Sequence, residues 1–160
     1  MTNGDTLKGL IWLYSPTYVR PKWVGICDGN FNSEPRIIEC NEINCIKISS
    51  SGSFKYQAEY HNLHYRTSLW RLVRQKGSVR LYDDIRNPHT PIDKYIPRNL
   101  IIVTADGKIE RIVTAAGSVL RDNRSKPILK RFINKRYHKK FKKRDFRDGE
   151  EMIEYILKNG

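Results

Sequence analysis

Phe54, Tyr56, Ala58 and Tyr60 alternate strictly with Lys55, Gln57 and Glu59. A period of two places the first set against a core and the second in water, the pattern of a half-buried β-strand. Upstream, Ile43 to Ile48 forms a second strand, joined to the first through Ser49-Ser50-Ser51-Gly52, a small-residue loop suited to a hairpin. Leu7 to Tyr14 and Lys22 to Cys27 are β-rich runs separated by Ser15-Pro16 and Arg20-Pro21. Each proline blocks helix and restricts the residue before it. Asp28-Gly29-Asn30 ends the second run, and a further one, Arg36 to Cys40, follows Pro35.

Ser68 to Val73 and Ser78 to Tyr82 flank Gln75-Lys76-Gly77 and read as another hairpin, although Leu69, Leu72 and Val73 also suit a short helix. Pro88, Pro91 and Pro97 make Asp83 to Pro97 an irregular surface connection. Leu100 to Thr104 and Lys108 to Thr114 surround Asp106-Gly107, which predicts a two-residue type I′ turn.

After Ala116-Gly117 the period changes to that of helix. Ile128, Leu129, Phe132 and Ile133 share one helical face, Pro127 is tolerated in the first turn, and Ser125 is placed to cap it. A second helix begins at Asp148, with Glu151 reaching back to the cap and Met152, Ile153, Ile156 and Leu157 on its apolar side. These elements predict an α+β fold: an antiparallel sheet of about eight strands, curled toward a partial barrel, followed by two C-terminal helices. A chain of 160 residues with 39% hydrophobic content suits a single domain, 1–160, mainly β over 1–117 and helical and basic over 118–160.

The formal net charge of +13 has a location. Arg121 to Arg147 holds thirteen Lys and Arg against two acids, Asp122 and Asp145, a net of +11 in 27 residues. Such a segment attracts phosphates, acidic lipid head groups or acidic protein surfaces. Lys135, Arg136, Lys139, Lys140, Lys142, Lys143 and Arg144 are the candidate binding cations, and Tyr137, Phe141 and Phe146 lie among them as candidate stacking residues. The competing reading is that the aromatics pack the helices while the cations form a solvated face.

Catalytic motifs are absent from the sequence: it has no glycine-rich phosphate loop, no H-E-x-x-H and no nucleophile elbow. Asp106, Lys108 and Glu110 have the residue types of a metal-dependent nuclease, but a tight turn with outward side chains accounts for them. His61-Asn62-Leu63-His64 offers acid–base groups, yet it also reads as a polar turn. Three cysteines, Cys27, Cys40 and Cys45, leave at least one thiol free. Cys40, Cys45, His61 and His64 imitate a zinc-finger series, but residues 40 and 45 have opposite strand parity and the histidines are closely spaced. The expectation is therefore no metal and no cofactor.

The longest apolar run, Leu10 to Tyr14, is far short of the roughly 20 residues that span a bilayer. Gly4-Asp5-Thr6-Leu7-Lys8-Gly9, Gly77-Ser78-Val79-Arg80-Leu81-Tyr82 and Glu150-Glu151-Met152-Ile153-Glu154-Tyr155 together resemble motifs of small uncharacterised, usually exported Bacteroidetes proteins. The resemblance implies an exported protein without an established activity and supplies no catalytic residues. It carries the expectation of a leader removed upstream, with a periplasmic or secreted location; otherwise the protein is cytoplasmic. The functional expectation is a non-enzymatic binding or accessory protein with a basic surface for anionic lipid or lipopolysaccharide, an acidic protein or nucleic acid. A cytoplasmic nucleic-acid-binding module is the alternative.

Overall fold

The computed structural model describes residues 6–14, 23–29, 32–50, 56–64, 69–83, 99–113 and 125–160. Among them the fold is α+β, with two open antiparallel sheets and two helices near the C-terminus. Strands β1 (Leu10–Tyr14), β2 (Trp23–Cys27) and β3 (Arg36–Glu39) form the first sheet in chain order. The second holds β4 (Cys45–Ser50), β5 (Tyr56–Asn62), β6 (Leu69–Lys76), β7 (Val79–Asp83), β8 (Asn99–Val103) and β9 (Ile109–Val113), again in order.

The expected sheet of about eight strands is thus corrected to a three-stranded and a six-stranded sheet, neither closed into a barrel. The division lies at Cys40–Glu42, where a 3-10 turn follows β3. The Asn62 side chain donates to the carbonyls of Cys40 (3.1 Å) and Asn41 (3.3 Å). These bonds tie the turn to the end of β5, and the Cys40 carbonyl also accepts the Ile43 N–H (3.4 Å). Gly9, the last residue of the opening motif, is required by a close approach, because a Cβ there would collide with the Cys27 carbonyl oxygen.

Two compact units divide the chain between Arg71 and Leu72, within β6. The first has a core of Val24, Ile26, Ile38, Cys40, Ile43, Ile46, Tyr60 and Leu69. Ala58 packs against it, so this residue and Tyr60 take the inward face that alternation predicts, opposite Ile48 and Ile46 on β4. Phe54 lies outside the described residues.

In the second unit, β7, β8 and β9 contribute Val79, Leu81, Leu100, Ile102 and Ile112 to a core shared with the helices. Helix α1 (Lys126–Arg136) buries Leu129 and Ile133, and α2 (Gly149–Asn159) buries Met152, Ile153, Ile156 and Leu157. Residues 69–76 are strand, not helix, and the chain turns at Gly77-Ser78. Most of the proline-rich connection, residues 84–98, lies outside the described residues.

The β8–β9 hairpin forms where expected, but its turn differs. Thr104 N–H donates to the Lys108 carbonyl (3.0 Å), and Gly107 N–H closes back on the Thr104 carbonyl (2.8 Å). Gly107 alone has positive φ (78°), so the loop is Ala105-Asp106-Gly107, a three-residue turn with glycine in the left-handed position. Asp106 is held by the Thr104 hydroxyl and avoids the positive φ that a type I′ turn demands of it.

Helix capping also departs in detail from the sequence reading. Asp148 Oδ1 accepts the Glu151 N–H (3.0 Å), as expected of an N-cap, but the Glu151 carboxylate reaches past the cap to Arg147 N–H. Ser125 occupies the α1 N-cap position without a side-chain capping bond. Arg74 on β6 grips α2 by donating to Glu150 (2.7 Å) and Glu154 (2.8 Å), residues one helical turn apart.

Candidate anion-binding site

The candidate cations lie on three local structures, not on one helical face. Lys135 and Arg136 occupy the last turn of α1, where cations suit the negative end of the helix dipole. Helix α1 then ends in a Schellman-type cap: Tyr137 N–H bonds the Ile133 carbonyl (2.9 Å), and Lys139 N–H bonds that of Asn134 (3.1 Å). His138 takes the left-handed position (φ 50°) usually given to glycine. Lys139 and Lys140 follow in an irregular segment, and Lys142, Lys143 and Arg144 enter a 3-10 turn at Lys143–Asp145.

This segment is pinned despite its lack of regular structure. Asn134 donates to the Phe141 carbonyl (3.0 Å) and accepts from its N–H (2.9 Å). Asp145 accepts the Lys142 N–H (2.7 Å), so the one acid among these cations is partly engaged with backbone. Lys135, Lys139, Lys140, Lys142, Lys143 and Arg144 are all exposed, as are Arg131 and Arg147.

The interleaved aromatics pack against one another and against α2. Tyr137, Phe141 and Phe146 meet Tyr155 of α2 edge to face, at centroid distances of 5.6, 5.3 and 5.7 Å, and Phe141 meets Phe146 at 5.2 Å. They pack against the core, as the competing reading expects. Lys126 is likewise structural: it is buried, and its ammonium donates to the carbonyls of Phe146 (2.5 Å) and Arg147 (2.8 Å).

Lys135 and Arg136 also join residues that sequence reading assigned only to a hairpin. With Lys108, Glu110, Arg111, Phe132 and His138 they line a cleft of about 500 Å³ between β9 and the end of α1. Four cations and one carboxylate line it. Glu110 accepts from Arg136 Nη1 and lies 3.4 Å from Lys108 Nζ. The Arg136 guanidinium stands 5.9 Å from the Tyr137 ring centroid, and its buried Nε has no hydrogen-bond partner among the described residues. Glu110 shares the strand parity of core residue Ile112, a signal that places it on the helix-facing side of β9.

The other candidate chemistry sorts out plainly. Asp106 and Glu110 are engaged with Thr104 and Arg136, not gathered as a nuclease-type pair. Of the four zinc-finger-like residues, Cys45 and His61 face each other across β4 and β5, and Glu59, not Cys40 or His64, completes their cluster. Burial pushes the Cys40 thiol up to about 11. Burial and the neighbouring Glu59 carboxylate also raise the Cys45 thiol. Burial, the largest single influence, would raise Glu59, but the hydrogen bond and charge of His61, the Lys47 ammonium and the Cys45 hydrogen bond together outweigh it and hold the carboxyl below its ordinary value.

No helix among the described residues is long and apolar enough to cross a membrane. Comparison with protein-family models, curated proteins and solved structures finds no match to the chain.

Proposed function

We propose that the protein is a non-enzymatic binding or accessory component whose basic C-terminal surface takes an anionic partner. The observation that carries this reading is the set of eight exposed cations between Arg131 and Arg147, accompanied within that span by one acid, Asp145. The α1 cap and the Asn134 clamp hold Lys139 and Lys140 on an ordered backbone, which reduces the ordering cost of binding. Because Tyr137, Phe141 and Phe146 are committed to packing, recognition rests on charge, and the partner's phosphate, sulfate or carboxylate groups are what the surface engages. The exported origin implied by the Gly4 to Gly9 and Gly77 to Tyr82 motifs belongs to the same proposal.

The test is binding at low salt to heparin, duplex DNA and anionic vesicles, comparing wild type with a variant carrying Lys139→Gln, Lys140→Gln, Lys142→Gln and Lys143→Gln. Exposed charges contribute little to stability, so the variant should remain folded while losing affinity. Preference for duplex DNA over the other polyanions would favour the nucleic-acid-binding alternative. Absence of binding to all three probes by the wild type would refute the proposal.

A further inference from the structure

The hairpin of β4 and β5 builds a mixed-donor cluster far in sequence from the basic segment. Cys45 pairs directly with His61 across the ladder, and paired positions carry their side chains on the same face. Glu59 lies two residues before His61 on β5 and so shares that face. Cys45 Sγ, Glu59 Oε1 and His61 Nε2 lie within 4.8 Å of one another. The separations are 3.8 Å from sulfur to carboxylate, 4.0 Å from sulfur to imidazole and 2.7 Å between imidazole and carboxylate.

We propose that Cys45, Glu59 and His61 form a zinc-type divalent-metal site with three protein ligands and a fourth position left to water or an incoming ligand. Zinc bond lengths of about 2.0–2.3 Å in a tetrahedron separate ligand atoms by roughly 3.5 Å. The observed separations bracket that value, so side-chain adjustments of less than an ångström bring all three donors to one ion, without a change in strand register. Sulfur, imidazole and carboxylate together favour zinc over the hard cations magnesium and calcium, which take oxygen ligands. On binding, the Cys45 thiol releases its proton to solvent and coordinates as thiolate, while His61 gives up the Nε2 proton that it shares with Glu59 and coordinates through Nε2 as the Nδ1–H tautomer. Lys47 Nζ, 4.0 Å from Glu59 Oε2, is placed to orient the carboxylate from outside the site. Cys45 is exposed, which leaves the fourth position accessible.

The site also answers the parity objection to a finger-like arrangement. Cys40 belongs to the 3-10 turn and its side chain is buried in the core, so it is not needed as a ligand. His64 is exposed, at a positive-φ position beyond the end of β5.

Titration of the reduced protein with Co(II), followed by displacement with Zn(II), tests the site. The expected result is one metal per chain, with a thiolate-to-cobalt charge-transfer absorption that Zn(II) abolishes. Cys45→Ser should remove that absorption. Glu59→Gln and His61→Gln should each weaken Zn(II) binding at least about tenfold, since even outer-shell partners of zinc ligands contribute roughly 10–100-fold. Cys27→Ser, Cys40→Ser and His64→Asn should leave binding unchanged, with far-UV circular dichroism confirming that each variant is folded. The proposal is overturned if the wild type gives no charge-transfer absorption, if the absorption survives Cys45→Ser or requires Cys40, or if Glu59→Gln binds Zn(II) as tightly as wild type.

Discussion

Replacing Lys126 with methionine tests whether a buried cation ties the start of α1 to the approach to α2. The ammonium donates to the Phe146 and Arg147 carbonyls at 2.5 and 2.8 Å, and the residue is 6% exposed. A hydrogen bond from a charged donor contributes about 1.5–3 kcal/mol, so the two are worth about 3–6 kcal/mol before offsets. Methionine keeps the apolar stem and ends the cost of burying a charge. It also removes a cation from the positive end of a helix dipole, an unfavourable placement worth about 0.3–1 kcal/mol. Allowing for both offsets, the net loss should be about 2 kcal/mol. At about 2–4 °C per kcal/mol for a chain of this size, melting of the helical far-UV signal should fall by about 4–8 °C. Urea unfolding gives the same free energy independently. A methionine variant as stable as wild type, or more stable, would show that the ammonium bridge does not hold these segments together.

Three other perturbations read different parts of the structure. Gly9→Ala should destabilise by about 1–3 kcal/mol, because its Cβ meets the Cys27 carbonyl and the backbone must shift; an unchanged urea midpoint would contradict this. The Asp148 carboxyl is held below its ordinary value by the Glu151 backbone N–H, so its stabilisation is present above the ordinary carboxylate pKa of about 4 and is lost as pH falls through the lower folded value. Asp148→Ala should therefore cost about 1 kcal/mol at neutral pH, with the difference from wild type shrinking in acid; a pH-independent difference would refute the assignment. Cys45 should be the first thiol alkylated in the native protein, since Cys27 and Cys40 are buried and the Cys40 thiol is pushed up to about 11; a rapid phase that survives Cys45→Ser would contradict this order.

Local signals carried the elements well because their causes were local. Asp148 has its capping partner three residues away, and Leu129, Ile133, Met152 and Ile156 reveal their buried faces by helical spacing. Asp106-Gly107 marked its hairpin, yet the loop length depended on how Thr104 meets Lys108 across the strands, which a dipeptide does not specify. The split into two sheets depends on which strands pair, a matter of contacts between distant positions such as Asn62 with the carbonyls of Cys40 and Asn41. Lys108 and Arg111 were legible as hairpin residues but not as cleft walls, because only tertiary packing brings the end of α1 beside β9. Glu59 was correctly read on the face opposite the core, but its convergence with Cys45 follows from the β4–β5 register.

The central claim, that exposed cations of the C-terminal segment take an anionic partner, is tested most directly by the salt dependence of duplex DNA binding. Each phosphate contact contributes about 0.9 to the slope of log affinity against log salt concentration, so four lost contacts should flatten it by up to about 3.6. The account predicts steep salt dependence for wild type and a markedly flatter line for the variant with glutamine at Lys139, Lys140, Lys142 and Lys143. Measurable wild-type binding with an identical slope in that variant would contradict it.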